Sequence, residues 1–122
     1  GETWDRDILK MVGEVTSIEA RYHSWKTGRN CLVLWAPNAD LARDPRWGRT
    51  EESFGEDPFL VAELAVQEIQ GMQGNDPTYW RTATVTRTAA ATLLLISMKL
   101  FSETIIHILS GRASSRVVRV LS

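Results

Sequence analysis

A single cysteine, Cys31, leaves no partner for an internal disulfide in this chain of 122 residues. It sits in an apolar run, where a thiol reads as a small buried hydrophobe rather than a reactive group. The redox compartment therefore stays open. The two histidines, His23 and His107, lie far apart with no cysteine or histidine at ligand spacing, so no metal is expected. His23, near a helix end, reads as structural. A basic excess is missing as well. With 14 Lys and Arg against 15 Asp and Glu, the formal net charge is −1, which excludes the electrostatic footprint of a nucleic-acid or anionic-membrane binder. No Gly-rich phosphate cradle occurs, because GMQGND lacks both the lysine and the strand–helix setting, and no cofactor is expected. Neither an initiator Met nor a signal peptide opens the chain; Gly1 to Lys10 is polar and reads as a helix start. The expectation is that an upstream portion is missing or was removed.

What is present has the balance of a globular protein, 43% hydrophobic and 24% charged, with room for one small domain. Asp5 reads as an N-cap, followed by Ile8, Met11, Val12, Val15, Ile18 and Tyr22 at helical spacing. Those residues form an apolar stripe expected to face inward, with Lys10, Glu14, Ser17 and Arg21 outward. Gly28 is the expected stop, in the left-handed region. Cys31 to Trp35 is a short continuous apolar run, the pattern of a parallel strand buried on both faces, ended by Pro37 and Asn38. A second helix is marked by Asp57 as cap and Pro58 at its first position. Phe59, Leu60, Leu64, Ala65, Ile69 and Met72 form its apolar face, and Gly71 and Gly74 end it. Helix, strand, long loop and helix in succession are the rhythm of an α/β barrel.

Between strand and second helix lies APNADLARDPRWGRTEESFGEDP, Ala36 to Pro58. A loop of that length in a small domain is functional or disordered. Trp47 and Phe54, with Trp35 just before it, are too apolar for a solvated linker. The run RDPRWGR (Arg43–Arg49) followed by E-x-F-G-E-D-P (Glu52–Pro58) resembles the signature loop of glycoside hydrolase family 3, the β-glucosidases and β-xylosidases. The resemblance implies a partial (β/α)8 TIM barrel of about one to two β/α units, since a closed barrel needs about 250 residues. It further implies a fragment of a retaining exo-acting β-glycosidase, with a β-glucoside or β-xyloside as substrate. Family members are often periplasmic or secreted.

Retaining hydrolysis requires two carboxyl groups flanking the scissile bond. The loop carries Asp40, Asp44, Glu51, Glu52, Glu56 and Asp57, but their local roles read as structural. Asp57 is a cap, Asp44 stands between Arg43 and Arg46, and Glu51 and Glu56 read as solvated or bonded to backbone donors. In the family the nucleophile is an Asp of a Ser-Asp-Trp-type motif farther along, and the acid/base generally comes from elsewhere. Neither motif is present, so no catalytic residue is expected in this chain. The resemblance assigns sugar binding to the arginine of the Trp-Gly-Arg step, Arg49. A planar guanidinium suits that task because its fixed donors can hold two vicinal hydroxyls. Trp47 and Glu52 are candidate companions: Trp47 could stack on a sugar face, although anchoring the loop is the favoured reading. Arg43 and Arg46 read as stiffeners pairing with Asp44 and Glu52. A second class of function stays open, a small non-catalytic α/β module that binds carbohydrate or a partner through this loop.

The family-like segment runs over 1–83, through Tyr79-Trp80-Arg81-Thr82-Ala83. From Thr84 to Ser122 the tail is atypical and reads as helical or disordered. No Asp, Pro, Trp or Tyr follows Arg81, and Glu103 is the only carboxylate side chain there. The Lys-His pair that binds sugar in the family is absent. A membrane span over Ala89 to Leu109 is not expected, because Lys99, Glu103 and His107 interrupt it and each central charge costs about 2.5–3.5 kcal/mol. Read one base back, the tail's codons can encode SSDFDEALQRDYNPYPFREGIEQGGSRAF, which resembles a segment farther along the family's barrel. The reading is therefore an out-of-frame tail. Sequencing the encoding DNA is expected to show that peptide in the alternative frame; its absence there would end the idea.

Overall fold

Local capping chemistry fixes the ends of both helices in the computed structural model, which describes residues 1–76 and 78–88. Asp5, in an extended conformation, accepts hydrogen bonds from the amides of Asp7 and Ile8 at the start of α1 (Arg6–Thr27). Gly28 closes that helix at φ 68°, a left-handed conformation without steric cost for glycine. α2 (Pro58–Gln73) begins after Asp57, whose carboxylate accepts from the Leu60 amide at 2.7 Å, and Pro58 occupies its first turn. Gly74 follows, its amide donating to the Gln70 carbonyl. These boundaries are those the sequence predicts, except that Gly71, expected with Gly74 to end α2, lies within it.

Four strands of two residues each complete the unit: β1 (Val33–Leu34), β2 (Asn38–Ala39), β3 (Ala83–Thr84) and β4 (Arg87–Thr88). β1 pairs with β3 and β2 with β4, both parallel, in the register Val33↔Ala83 and Asn38↔Arg87. Parallel pairing demands a long crossover, and α2 with its flanking loops provides it. The result is a small α/β unit of two helices and short parallel strands. The strand expected over Cys31 to Trp35 is shorter than its apolar run, and Asn38, expected to end it, instead begins β2. Burial on both faces does not hold either. Val33 is 52% and Trp35 87% exposed, and Cys31 is only half-buried, because β3, the one neighbour of β1 among the described residues, cannot cover two faces. The tail expected to be helical or disordered from Thr84 instead begins as strand, with Thr84 in β3 and Arg87–Thr88 as β4, because β1 and β2 offer parallel partners there. The membrane-span reading and the rest of the out-of-frame reading fall on residues 89–122, which lie outside the described residues. No helix among the described residues is long and apolar enough to cross a membrane.

α2 is the centre of the core. Val61, Ala62, Leu64, Ala65, Val66, Ile69 and Met72 are all buried, and Ala39 of β2 joins them with Leu41 and Phe54 packed alongside. The expected face contributes Leu64, Ala65, Ile69 and Met72. Phe59, however, is exposed, and Val61, Ala62 and Val66 are added, because α1 covers one side of α2 and β2 another.

α1 reverses the expectation. Ile8, Met11, Val12, Val15, Ile18 and Tyr22 are exposed, whereas Leu9, Gly13 and Ser17 are buried against the rest of the fold. The reason is a close helix crossing. A Cβ on Gly13 would lie 2.2 Å from the Glu68 carbonyl oxygen, and one on Gly71 would lie 2.1 Å from that of Lys10. Only a glycine on each helix allows the two backbones so near, and that contact selects the face of α1. Polar groups then close over it. Ser17, expected outside, is fully buried and accepts from Arg81 Nη1 at 3.0 Å. Arg21, also expected outward-facing, donates to the carbonyls of Arg81 and Trp80 at 2.8 and 3.2 Å. Thr82 donates to the Met72 carbonyl, and Arg6 pairs with Glu63 across the helices.

Gly13→Ala and Gly71→Ala are each expected to destabilise the chain by about 1–3 kcal/mol through overpacking, despite alanine's better helix propensity. Gly48→Ala, with nothing within 4 Å of its Cβ, should change stability by less than about 0.5 kcal/mol. Thermal denaturation followed by circular dichroism compares the three. Glu68 gives a pH-dependent counterpart. Burial raises its pKa, against a smaller lowering by the α-ammonium group of Gly1. With a folded pKa above the unfolded one, its ionisation disfavours the native state as pH rises through that interval. Glu68→Gln should therefore raise Tm at pH 7, and the gain should shrink as pH falls through the folded pKa and vanish by about pH 3, below the unfolded one, where the carboxyl is neutral in both states.

Candidate functional site

The loop from Ala36 to Pro58 is built as two stitched stems carrying a polar tip. Ser53 Oγ donates to the Asp40 carbonyl, the Gly55 amide donates to Ser53 Oγ at 3.2 Å, and the Ala42 amide donates to the Gly55 carbonyl at 3.0 Å. Arg43 Nε donates to the Glu56 carbonyl at 3.0 Å. Leu41 and Phe54, one on each stem, pack on the core of α2. Backbone pairing and apolar anchoring therefore fix the base of the loop, which includes β2 and leads into α2. The Ala36–Pro37 peptide bond at its entrance is cis.

Beyond the stems, Asp44 organises the tip. Its carboxylate accepts from the Arg46 amide at 2.9 Å and from Arg46 Nε and Nη2 at 3.0 and 2.7 Å. Those bonds, the side-chain ones foremost, hold its pKa below the usual carboxylate value and raise that of Arg46. The Trp47 amide donates to the Asp44 carbonyl, and Thr50 Oγ1 donates to the Trp47 carbonyl at 2.9 Å. Trp47 is half-buried. A single 3-10 turn, Thr50–Glu52, follows.

That turn brings Glu52 back to Arg49. Arg49 donates from Nε to Glu52 Oε1 at 2.7 Å and from Nη2 to Oε2, a two-point fork between a guanidinium edge and a carboxylate. The side chains remain 49% and 38% exposed. The Glu52 hydrogen bond and charge, with Asp40 and Glu51 farther off, push the Arg49 pKa above its ordinary value, so the group stays cationic. The fork uses the Nε side of the guanidinium; no hydrogen bond engages Nη1 among the described residues. Asn38 Nδ2 donates to Glu52 Oε2 at 3.2 Å, which ties the pair to β2.

The structure thus brings Arg49 and Glu52 together and sets Trp47 on the same tip. One pairing differs from the sequence reading. Glu52 was expected to stiffen the loop through Arg43 or Arg46, yet Arg43 bonds a backbone carbonyl and Arg46 is taken by Asp44, leaving Glu52 to Arg49. A spacing of three residues on a tight turn is the signal that identifies the true partner. Asn38, absent from the sequence-derived candidates, carries a readable sign too, since Asn two residues before Asp40 forms an Asx turn, with its Oδ1 accepting from the Asp40 amide at 3.0 Å. His23 is exposed near the end of α1. Among the described residues no cluster of His, Cys, Asp and Glu could hold a metal ion.

Comparison with known proteins agrees with the loop. Residues 1–93 match the family described as the glycosyl hydrolase family 3 N-terminal domain. Beta-D-xylosidase 3 of Arabidopsis thaliana is 42% identical over 73 residues, covering 57% of this chain and 9% of that protein. Beta-glucosidase B of Emericella nidulans is 45% identical over 73 residues, 60% of this chain and 8% of that protein. Xylan 1,4-beta-xylosidase of Xylanibacter ruminicola is 46% identical over 50 residues, 41% of this chain and 6% of that protein. The chain spans less than a tenth of the length of these relatives. With the family's description matching more than half of its residues, the chain belongs to the glycosyl hydrolase family 3 N-terminal domain family.

Proposed function

We propose that the chain is a piece of the (β/α)8 barrel of a retaining exo-acting β-glycosidase, of β-glucosidase or β-xylosidase type, that hydrolyses terminal β-linked sugars. In this reading residues 1–83 are the barrel piece, and the tail from about Thr84 has an out-of-frame origin. The piece brings part of the sugar-binding site and neither catalytic carboxylate. The parallel pairing of β1 with β3 through the α2 crossover, with a long loop after β1, supports the barrel reading. The relatives' names as xylosidases and glucosidases support the substrate class.

One observation carries the site: a cationic, half-exposed Arg49 is gripped along one edge by Glu52, with no partner for Nη1 among the described residues. A guanidinium so held has donors left in a fixed plane, suited to adjacent hydroxyls of a pyranose. Trp47 stands two residues away as a rim anchor. The surface around Arg49 is open on this chain, so the remaining walls of the site belong to other parts of the enzyme. Three of the loop carboxylates have structural partners in this account: Asp57 caps α2, Asp44 holds Arg46, and Glu52 holds Arg49.

The test is Arg49→Ala in an intact relative with the same loop, assayed on nitrophenyl β-glucoside and β-xyloside. Losing a charge-assisted hydrogen bond of about 1.5–3 kcal/mol should lower kcat/KM by about ten- to a hundredfold. The 122-residue chain alone should turn over neither substrate. Unchanged kcat/KM in the variant, or turnover by the chain alone, would overturn the reading.

A further inference from the structure

Arg49 does not orient itself. Its long side chain is half exposed, and an unrestrained arginine would spread over many rotamers, with rotamer entropy to lose on gripping a ligand. Glu52 removes much of that freedom by taking Nε and Nη2 together. Glu52 sits on a 3-10 turn at the exposed tip, however, and its own carboxylate needs a fixed reference. Asn38 supplies one. Its amide nitrogen donates to Glu52 Oε2 at 3.2 Å, while its amide oxygen accepts from the Asp40 backbone amide at 3.0 Å. The second bond settles which way the Asn38 amide faces: only with oxygen toward the Asp40 donor does nitrogen face the carboxylate. Asn38 is itself anchored, since it lies in β2 in register with Arg87 of β4, beside the fully buried Ala39.

We propose that Asn38 is a positioning residue for the sugar-binding arginine, acting through Glu52. It rests on the reading of Arg49 given above. The order Asn38, Glu52, Arg49 leads from a paired strand to the guanidinium by hydrogen bonds alone. Asn38 contacts no sugar in this scheme. Its task is to hold the Glu52 carboxylate in the plane that fixes the free donors of Arg49. The chemistry requires an amide at this position. A carboxylate there would oppose Glu52, and an alanine would remove the bond that ties the Glu52 carboxylate to β2.

The experiment uses an intact family 3 enzyme carrying the same loop, with kcat/KM measured on a nitrophenyl glycoside across pH. Asn38→Ala should lower kcat/KM about three- to tenfold, the range for one lost hydrogen bond. In an Arg49→Ala background the same change should cost nothing further, since a relay has no effect once its last member is gone. Asn38→Asp is the sharper variant, being nearly isosteric. One of its oxygens can still accept from the Asp40 amide, and the other faces Glu52, so the two carboxyl groups share one proton at low pH. The ratio of variant to parent kcat/KM should be near one at the acid end and fall as pH rises and that proton leaves. Additive losses with Arg49→Ala, or a ratio for Asn38→Asp that does not change with pH, would overturn the relay while the sugar grip of Arg49 stands. A silent Arg49→Ala would remove the grip itself, and the relay with it.

Discussion

Two glycines set the distance between the helices, and most of the fold follows from that distance. With Gly13 and Gly71 each lying against the other helix's backbone, α1 and α2 approach more closely than any side chain permits. The contact fixes which side of α1 turns inward, and therefore which polar groups are buried beside it. Ser17 comes to lie under the guanidinium of Arg81, Arg21 reaches the carbonyls of Trp80 and Arg81, and the chain leaving α2 is tied back to α1 before it enters β3. β3 then meets β1 in parallel, and β4 meets β2. A crossing made by backbone contact thus sets the course of the strands at the base of the loop.

The loop uses a different kind of constraint. Its stems are held by backbone hydrogen bonds and by Leu41 and Phe54 on the α2 core, whereas its tip is held by charge. Asp44 takes Arg46 and Glu52 takes Arg49, each arginine answered by a carboxylate two or three residues away. Exposed ion pairs of this kind contribute little to stability. Their value is geometric, because a two-point fork limits the planes a guanidinium can occupy. The two pairs within RDPRWGRTEE therefore orient the tip more than they stabilise it.

What could be read from the sequence was what depends on near neighbours. Asp5, Gly28, Asp57 and Pro58 mark helix ends through chemistry confined to one turn, and each stands where the pattern put it. The loop motif was legible because its residues are consecutive. The inward face of α1 was not. Hydrophobic periodicity points to Ile8, Met11, Val15 and Ile18, and nothing in that period reveals that Gly13 will meet a glycine nearly sixty residues away. The strand was misjudged for a related reason: an apolar run shows that a segment can be covered on both sides, not that the covering is supplied. At the candidate site, Arg49 came from the resemblance to a family, while its pairing with Glu52 required knowing that Thr50–Glu52 forms a turn.

The outward stripe of α1 has a consequence for the molecule in a cell. Ile8, Met11, Val15, Ile18, Tyr22 and Trp25 recur at alternating intervals of three and four and leave a continuous greasy ridge in contact with water. Chains displaying such a ridge are what holdase chaperones and quality-control proteases recognise. The helix that starts and stops so cleanly would therefore be open to such triage wherever no further layer covers its ridge, however tightly the two helices cross.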